Sequence, residues 1–380
     1  MTEHTGFPSF IDRAEPLDVG TDLVAAGRIG CTGVVELRRP KALNSLNDPM
    51  IRAVDVVLDS WGDGTTVDRI LLMSSAPRAF CAGGDVRWVR DEDAQGNYQI
   101  GDDFFELEYS LNNRLAEVNV PVIALLEGVV MGGGFGISAH GSHRVVTPNT
   151  LGAMPEGAIG FVPDVGMSHK LTHLPVDQRV GLFVAVTGWR LSPADMMFTG
   201  LGTHYVDDAG AFAAALVDSD AGLDEVLQLH STADAAAQSE PHLGVQPWGE
   251  SELEKHQDLI LELCTGEDWA EMEAKIRVAA SLAASSRSLH AEFIEKVVDS
   301  IDAANPESLV ATVELFRRSQ STDLTQALEL EWKVGAALRR RNNFIEGVRS
   351  VLIDKDRKPQ FVPATVAGVN VGKWRDLLRG

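Results

Sequence analysis

Residues 121–166 read PVIALLEGVVMGGGFGISAHGSHRVVTPNTLGAMPEGAIGFVPDVG. The apolar run Val122 to Leu126 has the length of a buried strand. A glycine cluster follows at Gly132, Gly133, Gly134 and Gly136, and then two acids, Glu156 and Asp164, in mostly apolar company. Bare backbone amides beside desolvated carboxylates are the parts of an acyl-transfer or enolate site. The same pattern stands earlier in the chain. Ile70 to Met73 reads as a buried strand and runs into Ala79-Phe80-Cys81-Ala82-Gly83-Gly84-Asp85. Two glycine turns, each after a buried strand and each followed by a helix, are what two loops converging on one site would look like.

Working outward, Val34 to Leu37 makes a small strand that enters the basic turn Arg38-Arg39-Pro40-Lys41. Asp48-Pro49 starts a helix with Ile51, Val54, Val57, Leu58 and Trp61 on one face. Phe104 to Glu117 forms another, carrying Glu106, Glu108 and Tyr109. Residues 168–188 read as helical, and Ser192-Pro193-Ala194-Asp195 starts a further helix. Residues 231–250, rich in Ala, Ser, Pro and Gly, lack periodicity. They mark a linker between a core over 1–230 and a helical region over 251–380. That region holds helices over 251–263, 268–283, from Asn305-Pro306, and over 324–341.

Composition narrows the function classes. The 380 residues carry 33 basic and 55 acidic side chains, a net charge of −22, which disfavours nucleic acid or an anionic membrane as a partner. An anionic ligand must therefore be met by backbone amides or by a local patch such as Arg38 to Lys41. Cys31, Cys81 and Cys264 have neither metal-ligand spacing nor a disulfide pattern, as suits a reducing compartment. The first ten residues lack a basic and apolar leader pattern, and no apolar run is long enough to span a membrane. These features together predict a soluble cytoplasmic protein.

Three other chemistries compete for the same residues. GFGISA from Gly134 fits a dinucleotide fingerprint, but Glu156 does not close the second strand such a unit needs. Gly136-Ile137-Ser138-Ala139-His140 falls short of a nucleophile elbow, because His140 replaces the last glycine. Cys81, between Phe80 and Ala82, reads as a packed small residue. The remaining reading uses Gly84 and Gly133 as amide donors of an oxyanion hole, worth roughly 3 kcal/mol per donor. Glu156, flanked by Ala153, Met154, Pro155, Ala158 and Ile159, is the candidate base or nucleophile. Asp164, eight residues on, is its partner acid.

RRPKALNSLN, AFCAGGDVR, EYSLNN, VIALLEGVVMGGGFGISAHGSHRV, AMPEGAIGFVPDVG, VTGWRLSPAD, GTHYVD and EGVRSVLIDKD, in this order, resemble the crotonase (enoyl-CoA hydratase/isomerase) superfamily. The similarity spans about residues 30–208 and resumes at 305–363. It implies an α/β fold, a crotonase-like spiral of β-β-α units with a helical C-terminal region packing on the core. It implies a CoA thioester whose carbonyl lies between the amides of Gly84 and Gly133. Lys41, Ala42, Leu43, Ala82 and Asp85 would lie along the CoA moiety. Family hydratases carry a second catalytic glutamate where this chain has Gly136, and usually glycine where it has Asp164. Those departures, with Glu108 in the EYSLNN segment, resemble the branch that hydrolyses short 3-hydroxyacyl-CoA thioesters, with Glu108 binding the acyl end. The alternatives are a hydratase or isomerase of the same fold, or a non-catalytic acyl-CoA-binding member. No metal or separate cofactor is implied, since CoA enters with the substrate. Relatives of this fold often form trimers, so a homo-oligomer is compatible with the resemblance.

Overall fold

The computed structural model describes residues 9–76, 78–219, 221–231, 233–234, 246–285 and 289–379. The chain forms two compact units. The first comprises Met1–Asp85, Leu107–Gly152 and Leu191–Glu252, and the second Val86–Glu106, Ala153–Arg190 and Leu253–Gly380. The expected 231–250 linker lies largely outside the described residues.

The first unit is built on an eight-stranded sheet. In spatial order its strands are Glu15–Leu17, Val24–Ile29, Thr32–Leu37, Arg69–Ser74, Val122–Leu126, His143–Val146, His204–Tyr205 and Ala233–Asp234. The five from Thr32–Leu37 to His204–Tyr205 run parallel. Thr32–Leu37, Arg69–Ser74 and Val122–Leu126 are buried at every position. A parallel strand covered on both faces needs such an unbroken run, so the apolar stretches alone predicted them. On one face Val34, Leu71, Met73, Ile123, Leu125 and Val145 pack with Phe212, Ala213 and Leu216 of the helix Ala209–Asp218. Helix Asp48–Trp61 lies against Val24–Ile29 and Thr32–Leu37. A Cβ on Gly33 would stand 2.5 Å from the Trp61 ring, so glycine there lets the helix approach. Its cap is Asn47, one residue before the expected Asp48; the Asn47 side chain accepts from the Met50 amide. A second sheet sets Ala79–Cys81 parallel to Val129–Met131, with Leu151–Ala153 as its third strand.

The second unit is helical. Its centre is Pro306–Ser319, capped by Asn305 and buried along most of its length. Around it lie Met167–Thr172, Gln178–Thr187, Trp269–Ser285, Leu324–Arg339 and Val371–Arg379. Each fully buried Leu or Phe on these faces contributes roughly 2 kcal/mol. Several expected boundaries shift, and the helix expected over 251–263 is two, Glu252–Lys255 and Gln257–Leu263. The 168–188 stretch is two helices, because Pro175 lacks an N–H and restricts the residue before it. Asp177 caps the second of them, accepting from the Arg179 amide at 3.0 Å. The helix expected from Phe104 begins at Tyr98, and the one expected to reach Arg341 ends at Arg339.

Candidate active site

The amide pair expected from the glycine turns is assembled within the first unit. Gly83 adopts φ +113°, a value open to glycine, and turns the chain after the strand Ala79–Cys81. The loop after Arg38-Arg39-Pro40-Lys41 is stitched to this turn: Ala82 N donates to Leu43 O (3.0 Å), Leu46 N to Gly83 O (2.8 Å) and Asp85 N to Leu46 O (2.7 Å). Asn44, at φ 55°, anchors the stitch, with its side-chain amide donating to Ser74 Oγ at 2.6 Å and Phe80 O at 3.0 Å. Gly132 at φ 47° starts the second turn. A Cβ on Gly133 would stand 2.2 Å from Glu108 Oε1 and 3.1 Å from Gly84 N. Gly84, Gly133 and the buried Glu108 therefore meet at one point, and only glycine at 133 leaves that point open. Among the described residues neither the Gly84 nor the Gly133 amide donates to a protein acceptor.

The helix expected after each glycine turn holds for Val86–Ala94 but not for the cluster, where the helix is only Gly133–Gly136. Four residues sum too few peptide dipoles for the charge assistance a longer helix brings. There the amides themselves must supply the donor function.

The basic turn is less free than its composition indicates. Arg38 is held by Glu36 at 2.8 Å and Arg39 by Asp85 at 2.7 Å. Lys41 is exposed, Leu43 is 38% exposed, and Ala42 and Ala82 are half-buried. Of the three cations, Lys41 is the one without an ion pair among the described residues. Asp85 spends its carboxylate on Arg39.

The two acids belong to the second unit. Glu156, 7% exposed, opens the 3₁₀ turn Glu156–Ile159. That turn is fixed from the C-terminal helices. Asn305 N donates to Gly157 O at 2.9 Å, and Cβ atoms on Gly160 and Gly347 would overlap the backbone of Asn343 and Ile159. Asp164, 4% exposed, precedes Val165 at φ 54° and Gly166 at φ 80°. A residue that sequence reasoning missed holds this turn: Glu331 accepts from the Gly166 amide at 2.7 Å and the Ser168 amide at 2.9 Å. Burial first, and then the charge of Asp164, push the Glu331 carboxyl up to about 8 against its hydrogen bonds. The signal was present in the sequence. Glu331 shares a helical stripe with Ala327, Val334 and Leu338, where a charge demands a buried partner.

The rival nucleophiles are packed away. Ser138 is buried and donates to Gly134 O at 2.7 Å. Burial pushes the Cys81 thiol up to about 12, so it is not a thiolate at neutral pH. Among the described residues no cluster of three or more His, Cys, Asp and Glu is arranged to hold a metal ion, and no helix is long and apolar enough to cross a membrane.

Comparison with known proteins bears on this geometry. A Xenopus laevis protein, "3-hydroxyisobutyryl-CoA hydrolase, mitochondrial", is 34% identical, covering 90% of this chain and 85% of its own. The Homo sapiens protein of that name is 35% identical, covering 90% and 84%. A solved structure, a carnitinyl-CoA dehydratase from Mycobacterium thermoresistibile, superposes with a TM-score of 0.81 at 31% identity, covering 94% of this chain and 96% of that one. The expected crotonase-like α/β fold with a helical C-terminal region agrees with that superposition. The cytoplasmic expectation is overturned. The curated relatives named above are mitochondrial. Unpaired cysteines report a reducing environment, and the matrix and the cytosol share that property, so composition could not separate them. The family model described as enoyl-CoA hydratase/isomerase matches residues 32–378, and the chain belongs to that family.

Proposed function

We propose that the chain hydrolyses a short 3-hydroxyacyl-CoA thioester, 3-hydroxyisobutyryl-CoA, to 3-hydroxyisobutyrate and CoA, a step of valine catabolism. The observation that carries this reading is the set of acids. Glu156 and Asp164 are both buried, while Gly136, at the position of the second hydratase glutamate, is enclosed in the Gly133–Gly136 turn and offers no carboxylate. The identity to hydrolases of that name supports the same choice.

In this mechanism the amides of Gly84 and Gly133 bind the thioester oxygen and stabilise the charge that develops on it. Glu156 either attacks the carbonyl carbon, expelling CoA thiolate and leaving a mixed anhydride that water cleaves, or takes a proton from the water that attacks. Asp164 orients that water or the substrate hydroxyl and shares the proton. Glu108 binds the acyl end. Lys41, Ala42, Leu43 and Ala82 follow the CoA moiety, and Asp85 acts by holding Arg39. No cofactor enters beyond the CoA of the substrate.

A second reading, hydration or dehydration of an acyl-CoA, is favoured by the dehydratase superposition. Incubation with 3-hydroxyisobutyryl-CoA, 3-hydroxypropionyl-CoA and crotonyl-CoA separates the two. Hydrolysis predicts thiol release from the hydroxyacyl thioesters, abolished in Glu156→Gln and weakened in Asp164→Asn. Loss of the crotonyl absorbance without thiol release would establish the second reading instead.

A further inference from the structure

We propose that Glu331 is a positioning residue for the reaction, acting through the turn that carries Asp164. The inference rests on the role given to Asp164 above. The turn runs Phe161-Val162-Pro163-Asp164-Val165-Gly166-Met167-Ser168 and contains two successive left-handed residues, Val165 at φ 54° and Gly166 at φ 80°. Glycine adopts that conformation freely. A β-branched valine does not, and it persists there only where the surroundings over-determine the backbone.

Glu331 supplies that determination. It is fully buried, and each carboxyl oxygen takes one amide, Oε2 from Gly166 and Oε1 from Ser168. Those amides bracket Met167, whose own N–H donates to Asp164 O at 2.9 Å. The chain of bonds thus runs from the Glu331 carboxyl group through two amides to the backbone of Asp164. One turn along the same face of helix Leu324–Arg339, Gly335 receives the ring of Phe161; a Cβ there would stand 2.6 Å from that ring. Both ends of the Asp164 segment are therefore seated on one helix face. Ser168 adds a third tie, its hydroxyl lying 2.9 Å from that of Ser319. The mechanism has no other use for a buried carboxyl at 331, and an acceptor at the end of a six-residue helix would not need full burial.

A double-mutant cycle followed by thiol release from 3-hydroxyisobutyryl-CoA tests the assignment. Glu331→Ala is expected to lower kcat ~10–100-fold with KM within threefold, since misplacing a catalytic group costs turnover more than binding. Glu331→Gln, which keeps one acceptor oxygen, is expected to recover part of the loss. In an Asp164→Asn background the Glu331 substitution is expected to slow turnover little further. Multiplicative losses, or a Glu331→Ala enzyme with unchanged kcat, would overturn the proposal. If Glu331→Ala does not fold, Glu331→Gln completes the same cycle. If Asp164→Asn alone leaves kcat unchanged, the role of Asp164 fails and this proposal falls with it.

Discussion

Gly133→Ala tests the amide pair directly, because the structure separates its effect on the site from its effect on the fold. The new methyl would stand 2.2 Å from Glu108 Oε1, 3.1 Å from Gly84 N and 3.3 Å from Gly83 C. The first contact is with the buried Glu108, which the proposed mechanism also uses and which must shift for the methyl to fit. The other two are with the turn that carries the proposed donor. Gly133 is the first residue of a four-residue helical turn, where alanine gains little of the preference it has in a helix interior. Crowding should therefore lower stability by about 1–2 kcal/mol. The methyl also occupies the space beside the Gly84 amide where a thioester oxygen would be received. Losing one donor of an oxyanion hole costs ~3 kcal/mol, a fall of about 100–1,000-fold in kcat. Gly134→Ala is the control. Its Cβ would stand 2.3 Å from Cys81 O, a backbone atom that cannot swing away, so it should cost roughly 1–3 kcal/mol of stability. Thiol release and calorimetric unfolding on the two variants decide the matter. A Gly133→Ala enzyme within threefold of the parent turnover, or one whose loss merely tracks a lower Tm as in Gly134→Ala, refutes the amide assignment.

Glu156→Gln keeps the shape of the buried side chain but removes the carboxylate proposed as nucleophile or base; kcat should fall by at least ~100-fold with an unchanged melting curve. Glu331 gives a pH signature in stability. Its folded carboxyl sits near 8, above the 4.5 expected when exposed, so the folded state holds the proton more tightly. Its contribution is fully present below about pH 4.5 and is lost as the pH rises through about 8. Chemical denaturation at pH 5 and pH 8.5 should show a larger loss for the parent than for Glu331→Gln, and equal slopes would contradict the burial argument. Lys41→Ala should raise KM for the CoA thioester about twofold to fivefold without changing kcat, as befits one exposed charge. A truncated thioester lacking the nucleotide should not register the change. Cys81→Ala should retain turnover within threefold, since a buried thiol pushed up to about 12 has no nucleophilic part to play; inactivation with an intact fold would reopen that question.

How much of this was legible in the chain depended on the range of the interaction concerned. The strands at Arg69–Ser74 and Val122–Leu126 were readable because a doubly covered parallel strand must be apolar at nearly every position. The glycine turns were readable because only glycine adopts φ 113° easily at position 83 or leaves the point beside Glu108 open at position 133. The order of the motifs carried the family, and Gly136 and Asp164 carried the choice of reaction.

What lay beyond the sequence were pairings between charges far apart in the chain. Arg339, near the end of the helix expected over 324–341, is buried and bound to Asp93 at 2.6 Å and Asp102 at 2.8 Å. Gly101 must be glycine there, because a Cβ would overlap the Arg339 guanidinium. Glu331 reaches the amides of Gly166 and Ser168 across more than 160 residues of chain. Arg38 and Arg39 are occupied by Glu36 and Asp85, which leaves Lys41 as the cation of that turn without an ion pair among the described residues. Local periodicity reports which face of an element is buried, but not which side chain will be waiting there. The sequence therefore determined the strands, the glycine turns and the two acids, whose requirements are steric and short-ranged. Only the tertiary structure decided how those acids are held, because a buried charge is settled by the partner that folding brings to it.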